Sequence, residues 1–360
     1  MPRRGSRVQI PFPAPYSSGN SSTLPIEFDS FAHVSILLVR PMGVEVSFED
    51  ILQARETLHN VSLITPVKTN VELDVLASST VFLKCETAQR TGSFKFRGAY
   101  YATSRVAATG LDRTVATISS GNHGQGLALA ASLLNLSAYV IVPKPYVPRK
   151  QQAIAQQGAH VIVVEDRAAA EQILHETLSQ RKARQIHAFN DPQVIAGQGT
   201  IMLELLQQVS DLDVVLGPVG GGGLLSGLCI AAHHLIPRLL LYACEPLGAA
   251  DVIESLCQNE VVPMTTPRTV ADGLRTSLGS RTLPILHRHL TDVFLVSENE
   301  ILDAMRFSQE TLKLAIEPSS AVALAPLLRR EPALVGRRVG VILTGGNVDL
   351  DSFGPSVTRA

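Results

Sequence analysis

Short apolar runs of strand length alternate with helical stretches along the chain from Thr65 onward. The runs cover residues 81–85, 114–118, 138–142, 160–164, 214–216, 239–244 and 339–343. Strands that are almost continuously apolar, with helices between them, are typical of parallel sheets covered on both faces. The pattern predicts an α/β fold with parallel sheets covered by helices. In such sheets ligands bind beyond the carboxyl ends of the strands.

The first helix is predicted over residues 47–60, because Ser47 and Asp50 are spaced as in a capping box. Residues 1–41 precede it and are rich in Pro, Ser and Gly without a long apolar segment, so we expect a disordered extension rather than a signal peptide. The most apolar stretch, residues 127–142, is too short to cross a membrane.

Composition narrows the class of partner. The 360 residues are 45% hydrophobic and 18% charged, enough for a large core in two lobes. A net charge of -1 argues against nucleic acid or an anionic membrane and favours small-molecule partners. Four widely spaced cysteines without CxxC pairs indicate reduced core thiols and a cytoplasmic setting: Cys85, Cys229, Cys244 and Cys257.

A lysine in an apolar setting is the first candidate for chemistry. Lys95 lies between Phe94 and Phe96 in the segment TGSFKFRGA. Partial desolvation would lower the pKa of its amine and free it to attack a carbonyl group, as a Schiff-base lysine does. The alternative is a surface lysine at a helix start whose stem covers apolar neighbours.

Two loops that follow predicted strands could bind anions. The carboxylate loop comprises Ser119, Ser120, Gly121, Asn122 and His123, and it precedes an Ala/Leu-rich helix. Backbone amides at a helix N-terminus bind carboxylate or phosphate, although such a loop can also be an ordinary cap. The glycine loop comprises Gly220, Gly221, Gly222, Gly223 and Leu224. Its glycines would let amides approach a phosphate closely, and neither a P-loop lysine nor a dinucleotide fingerprint accompanies them.

Together with the strand-end hydroxyl of Thr344, these features match one cofactor, pyridoxal phosphate. The motifs GSFKFRGA, SSGNHGQ, PVGGGGL and TGGNVD occur in this order over roughly residues 43–352. In them the chain resembles the serine/threonine dehydratase and serine racemase family of fold-type II pyridoxal-phosphate enzymes. The resemblance implies a tryptophan synthase β-like, two-lobed architecture. The large cofactor-binding lobe would comprise residues 43–113 and 191–352, and the small mobile lobe residues 114–190.

The resemblance also implies roles for individual residues. Lys95 would hold the cofactor and later remove the α-proton, with Phe94 against the ring, Asn122 at the ring hydroxyl and Thr344 at the ring nitrogen. The glycine loop would bind the phosphate, and the carboxylate loop would bind the substrate. The implied activity is an ammonia-lyase reaction that converts a threonine- or serine-type β-hydroxy amino acid to a 2-oxo acid and ammonia.

Ser120 keeps a second activity open, because a serine at this position in the racemase branch can return a proton from the face opposite the lysine. Its alternative role is carboxylate binding or helix capping. The resemblance further implies a divalent cation site for Mg²⁺ or Ca²⁺ formed by Glu245, the carbonyl of Ala249, and Asp251. Without the family, two acids in a loop would be interpreted as solvated charges.

Glu171 occupies the position at which, in an ungapped alignment, animal serine racemases have an arginine. We expect a glutamate there to repel a distal carboxylate, which disfavours hydroxyaspartate and favours threonine, serine or a hydroxyectoine-derived amino acid, unless Glu171 faces water. A racemase and a non-catalytic pyridoxal-phosphate carrier are the alternatives. Retention of Lys95, Ser120 and His123 argues against the carrier, and the family implies a homodimer.

Overall fold

The structure is a computed structural model that describes residues 45–111 and 113–349. The predicted disordered extension, residues 1–41, lies outside these residues. Within them, all seven predicted strands are present. The strands are β1 Val67–Lys68, β2 Thr80–Cys85, β3 Thr114–Ile118, β4 Ser137–Pro143, β5 His160–Val164, β6 Arg184–Gln185, β7 Val214–Pro218, β8 Leu240–Pro246, β9 Asp292–Val296 and β10 Arg338–Leu343.

The helices fill the intervals between strands. They are α1 Phe48–Leu58, α2 Val71–Ala77, α3 Lys95–Thr109, α4 Asn122–Leu133, α5 Pro148–Gln156, α6 Arg167–Gln180, α7 Pro192–Gln208, α8 Gly223–Leu235, α9 Asp251–Gln258, α10 Thr282–His289, α11 Glu298–Glu310, α12 Pro318–Ala321 and α13 Ala325–Leu328. Short 3-10 turns cover Glu86–Ala88, Arg90–Gly92, Leu247–Ala249 and Asp272–Leu274. The predicted capping box of α1 is confirmed, since Ser47 and Asp50 each accept a hydrogen bond from the other's backbone amide.

The strands form two sheets. The larger has the order β1-β2-β10-β7-β8-β9 and is parallel except for β1, and the smaller has the order β5-β4-β3-β6 and is parallel throughout. The α/β class is therefore confirmed. Strands of the smaller sheet all lie between residues 114 and 185. The division into a small mobile lobe and a large lobe remains a proposal.

Glycines allow α3, α7 and α8 to pack unusually closely. A Cβ on Gly197 of α7 would lie 2.6 Å from the Cα of Gly98 on α3, and a Cβ on Gly227 of α8 would lie 2.5 Å from the backbone nitrogen of Gly199. Side chains at these positions would force the helices apart. Helix α7 thus fixes the starts of α3 and α8, which carry Lys95 and the glycine loop.

The cysteines and the helix lengths test the predictions of reduced core thiols and of a chain without a membrane-crossing segment. All four cysteines are free; Cys85, Cys229 and Cys244 are buried, as predicted, whereas Cys257 is exposed. Among the described residues, no helix combines the length and apolarity that crossing a membrane requires.

Candidate active site

A cavity of about 620 Å³ lies at the carboxyl ends of the strands of both sheets. Every residue predicted to bind cofactor or substrate lines it: Phe94, Lys95, Ser119, Ser120, Gly121, Asn122, His123, Gly220, Gly221, Gly222, Gly223, Leu224 and Thr344. The predicted metal ligands Glu245, Ala249 and Asp251 are not among its lining residues. Residues far apart in the sequence thus converge on one cavity.

Lys95 is the first residue of α3, and its amine faces this cavity. The Nζ atom donates a hydrogen bond of 2.9 Å to the carbonyl oxygen of Ala188 and lies 5.1 Å from the ring centroid of Phe94. The side chain stays partly accessible from the cavity, yet protein atoms surround the amine. Burial lowers its pKa to about 8, and the charge of Glu317 opposes that shift. About a tenth of the amine is therefore unprotonated near pH 7, far more than in an exposed lysine.

Backbone hydrogen bonds hold the end of β10 beside the start of α3. The amide of Phe94 donates to the carbonyl of Thr344 at 2.9 Å, and the amide of Gly346 donates to the carbonyl of Gly92 at 3.0 Å. Thr344 is buried. These bonds place its hydroxyl-bearing side chain on the same cavity wall as Phe94 and Lys95.

Ser119 supplies the cap of α4. Its Oγ accepts hydrogen bonds from the amides of Gly121 at 3.3 Å and Gly124 at 2.9 Å. The hydroxyl of Ser120 is consequently not the capping group. Asn122 and His123 occupy the first turn of α4, where backbone amides have no acceptor within the helix. Their amides are therefore available to an anion at this edge of the cavity.

The side chain of His123 cannot serve as a carboxylate donor. Its Nε2 lies 3.0 Å from the carbonyl oxygen of Ile186, an acceptor, so Nε2 carries the proton and Nδ1 is left as a buried acceptor without a partner. Burial, and the charge of Lys95 to a smaller extent, lower the pKa of His123 to about 3. Any contribution of His123 to anion binding therefore comes from its backbone.

His187 was missed from the sequence and presents a donor instead. Its Nδ1 accepts hydrogen bonds from the amides of Asn190 at 3.0 Å and Phe189 at 3.3 Å, which leaves the proton on Nε2. Burial, followed by the charges of Lys95 and Arg167, lowers the pKa of His187 to about 4. It is a neutral N–H donor in the cavity lining.

The glycine loop packs against the segment that carries His187. A Cβ on Gly221 would lie 2.2 Å from the ring of Phe189, and a Cβ on Gly223 would lie 2.8 Å from the backbone of the same residue. Gly222 has a φ of +85°, which disfavours residues with a side chain. The hydroxyl of Thr282 donates to the carbonyl of Gly221 at 2.8 Å. The amides at the start of α8 have no acceptor within the helix, so they too can bind an anion.

Asn122 is held in one orientation by two side chains. Its Nδ2 donates to Oε1 of Glu317 at 2.6 Å, and its Oδ1 accepts from Nδ2 of Asn347 at 2.9 Å. Asn347 also donates to the carbonyl of Thr91 at 2.7 Å. The amide therefore cannot rotate freely, and one N–H of Asn122 remains for a ligand oxygen.

Glu317 belongs to a group of charges, with Glu317 and Lys150 buried and Asp272 half-buried, that the sequence did not reveal. The Nζ of Lys150, on α5, lies 2.6 Å from Asp272 and 3.6 Å from Glu317. Burial raises the pKa of Glu317 to about 7, although Lys150 lowers it. The only local indication was a glutamate directly before Pro318 at a helix start. Its partners are distant in the sequence, which is why the group went unnoticed.

The acids predicted to bind a metal lie outside the cavity and are buried, not solvated. Glu245 is part of β8 rather than of a following loop, and it accepts hydrogen bonds from the amides of Val252 at 2.6 Å and Ile253 at 3.1 Å. Neither buried carboxylate oxygen of Asp251 has a hydrogen-bond partner of good geometry, although the amide of Leu278 is near enough to lower its pKa. In the described part of the chain, no cluster of three or more His, Cys, Asp or Glu side chains is arranged around a possible metal position.

Burial raises the pKa of Glu245 to about 8 and that of Asp251 to about 7. A cation beside them would reverse this effect, since it favours the ionised form of both carboxyl groups.

Comparisons with known proteins show the family and the fold. Residues 63–345 match the family model for pyridoxal-phosphate-dependent enzymes. The serine racemase of Dictyostelium discoideum is 43% identical over 320 residues, which cover 88% of this chain and 98% of the relative. The L-threo-3-hydroxyaspartate ammonia-lyase of a Pseudomonas species is 40% identical over 312 residues, 85% of this chain and 97% of the relative.

The structure of maize serine racemase superposes with a TM-score of 0.83 at 33% identity and covers 86% of this chain and 96% of that one. The predicted family and its fold are thus confirmed. The relatives include both a lyase and racemases, the two activities predicted from the sequence.

Proposed function

The chain belongs to the family of pyridoxal-phosphate-dependent enzymes, and from this membership and the geometry around Lys95 we propose that it is an ammonia-lyase acting on β-hydroxy amino acids. The substrate class is that of threonine and serine, and the products are a 2-oxo acid and ammonia. The observation that carries the proposal is the amine of Lys95, whose pKa is lowered to about 8 inside a cavity that two anion-binding loops share.

The residues of the cavity fit the cofactor. Lys95 offers an amine of lowered pKa for its aldehyde, and the glycine loop offers amides where a Cβ would collide with Phe189. Asn122 has one N–H left that would bind the ring hydroxyl, Phe94 would lie against the ring, and the hydroxyl of Thr344 would face the ring nitrogen. When bound, pyridoxal phosphate withdraws electrons from the α-carbon of an amino acid and makes its proton acidic.

Backbone amides and the side chain of Lys95 carry out the remaining steps. The amides of Asn122 and His123 bind the α-carboxylate and fix the α-carbon near Lys95. Lys95 removes the α-proton, a task for which a base with a pKa of about 8 is well matched to neutral pH. The β-hydroxyl leaves as water once it gains a proton, and water later releases ammonia. No net water is consumed.

Racemisation is a second candidate activity. Because Ser119 takes the capping role at α4, the hydroxyl of Ser120 is not committed to the helix. A hydroxyl on the carboxylate loop, opposite Lys95, could return the α-proton to the other face of the substrate. The serine racemase relatives support this alternative.

The test combines turnover with a covalent readout. The purified protein would be incubated with L- and D-serine, L-threonine and 3-hydroxyaspartate, following 2-oxo acid and the chirality of remaining substrate together. Separately, borohydride reduction of the loaded protein should fix the cofactor on the peptide that contains Lys95, which mass spectrometry detects. Lys95→Ala should abolish the labelling and reduce turnover by at least about a thousandfold. Labelling elsewhere, or unchanged turnover, would refute the proposal.

We further propose that Glu245, Asp251 and the carbonyl of Ala249 bind Mg²⁺ or Ca²⁺. The two acids fit a hard cation, since both oxygens of Asp251 are buried without a good partner. Added Mg²⁺ or Ca²⁺ should raise the melting temperature of the wild-type protein, while Asp251→Asn should remove that response. A cytoplasmic setting and a homodimer complete the proposal, and light scattering would test the latter.

A further inference from the structure

Two arginines line the cavity in addition to the lysines, and they lie on different walls. Arg275 belongs to the segment packed on the glycine loop: a Cβ on Gly220 would lie 3.0 Å from the Cα of the adjacent Leu274. Its guanidinium donates to the carbonyl of Thr269 through both Nε and Nη2. Arg275 is thus anchored on the wall of the proposed phosphate site.

Arg167 lies on the wall that carries the carboxylate loop. It is the first residue of α6, which follows β5, and β5 is two strands away from β3 in a parallel sheet. Two strand spacings amount to about 10 Å. The carboxylate loop follows β3 at the same edge. An arginine side chain from the end of β5 can therefore reach toward a ligand held by that loop.

The charge of Arg167 does extend over the strand ends. After burial and the charge of Lys95, it contributes to the lowered pKa of His187, and the charge of Glu171 opposes it to a smaller extent. His187 follows β6 on the far side of β3. Arg167 is also a lining residue of the cavity. Its side chain therefore borders the space in which substrate would lie.

Glu171, one helical turn along α6, is the partner of Arg167 in the free protein. Nε and Nη2 of Arg167 lie 2.8 and 2.6 Å from the same oxygen of Glu171. The side chains are 63% and 53% exposed, so the pair contributes little to stability and can be exchanged for another carboxylate. A ligand that offers two oxygens would fit the guanidinium fork better than one shared oxygen does.

The ion pair with Arg167 alters the effect that Glu171 is expected to have on a substrate carboxylate. The sequence led us to expect that Glu171 would repel a distal carboxylate. Glu171 is not a lining residue, and its charge is paired with the arginine that is. Lining side chains in the described part of the chain include four basic groups and two acidic ones, and both acids, Asp272 and Glu317, lie within 4 Å of Lys150. Both lining acids thus face Lys150, and the acid that pairs with Arg167 lies outside the lining.

We propose that Arg167 binds the distal carboxylate of a β-hydroxy dicarboxylic amino acid, with four carbons as in 3-hydroxyaspartate, and so determines the substrate preference. The inference rests on the proposed function. It places the α-carboxylate on the amides of the carboxylate loop and the second carboxylate at the end of α6, with Glu171 displaced from Arg167 when substrate binds.

The test is a comparison of selectivity. The quantity is the ratio of kcat/KM for 3-hydroxyaspartate to kcat/KM for serine, measured on loaded wild-type enzyme and on Arg167→Met, Arg167→Lys, Arg275→Met and Arg149→Met. Arg149 is an exposed arginine of α5 outside the cavity lining and serves as the matched control. Loss of a charge-assisted pair predicts that R167M lowers the ratio about tenfold or more, mainly through KM. R167K should retain an intermediate ratio, and R149M the wild-type ratio.

Two results would overturn the inference: an unchanged ratio in R167M, or a selective loss in R275M instead. A binding measurement separates this failure from failure of the proposed function. Succinate, a dicarboxylate that cannot react, should protect the wild-type protein in a thermal-shift assay at lower concentration than acetate does, and R167M should lose this difference. If no hydroxy amino acid is turned over, the proposed function fails while the succinate result still decides the role of Arg167.

Discussion

Glu317 makes the pH dependence of folding stability predictable. Its side chain is 3% exposed, and burial raises its pKa from the ordinary 4.5 to about 7. Between these values the folded protein holds a proton that the unfolded chain has released, so stability falls as pH rises. The difference corresponds to about 3 kcal/mol, with the full contribution present below pH 4.5 and lost above pH 7. Glu317→Gln removes the titration while keeping an oxygen that can accept from Asn122.

The assay is urea unfolding of both proteins at equal cofactor content, at intervals from pH 5 to pH 8. The stability of Glu317→Gln relative to wild type should rise by about 3 kcal/mol over this range, whatever its value at pH 5. Glu56→Gln, at a position that is 70% exposed, is the control and should give a curve parallel to wild type. Parallel curves for Glu317→Gln and wild type would refute the reasoning, because they would mean that Glu317 is ionised throughout.

Three further predictions follow from packing and pairing. Gly222→Ala should destabilise the protein by about 1–3 kcal/mol more than Gly158→Ala, because both residues have positive φ but only Gly222 has a neighbour, Thr282, within 2.8 Å of the added Cβ; equal urea midpoints would contradict this. Arg97→Met should cost about 3–5 kcal/mol in urea unfolding, since it removes the cation that pairs with buried Glu86, while Glu204 keeps its ion pair with Lys84; Arg55→Met, which breaks an exposed pair, should cost below about 1 kcal/mol. Asn347→Ala should weaken cofactor affinity about fivefold in an absorbance titration, because Asn122 loses one of the bonds that orient it; unchanged affinity would count against that role.

The sequence predicted most of the sheets because their strands are continuously apolar. It missed β1 and β6, which have two residues each, and β9, whose start at Asp292 interrupts the apolar pattern. The carboxylate loop and the glycine loop could be proposed as anion sites because glycines and a helix start are local features. Lys95 was recognisable for the same reason, since its neighbours in the chain also desolvate it.

Side chains that act through distant partners could not be recognised in this way. Lys150 is separated by 122 residues from Asp272, and Asn122 by 195 residues from Glu317. One sequence contains no local pattern that joins such positions. The raised pKa of Glu317 depends on burial, which the surrounding residues of the chain do not determine.

The ion pair between Arg167 and Glu171, in contrast, could be predicted from the sequence. Residues four apart on a helix face the same side, so the sequence itself predicts that a glutamate at position 171 pairs with an arginine at position 167. Judged alone, Glu171 predicted repulsion of a second carboxylate. Judged with Arg167, it is a weak counter-ion that occupies the guanidinium until a stronger ligand arrives. Compared with an arginine at position 171, an arginine at position 167 lies one turn nearer to the start of α6 and so nearer to the strand ends, where the substrate is proposed to bind. The exposed Glu171 then balances the charge of Arg167 in the free protein.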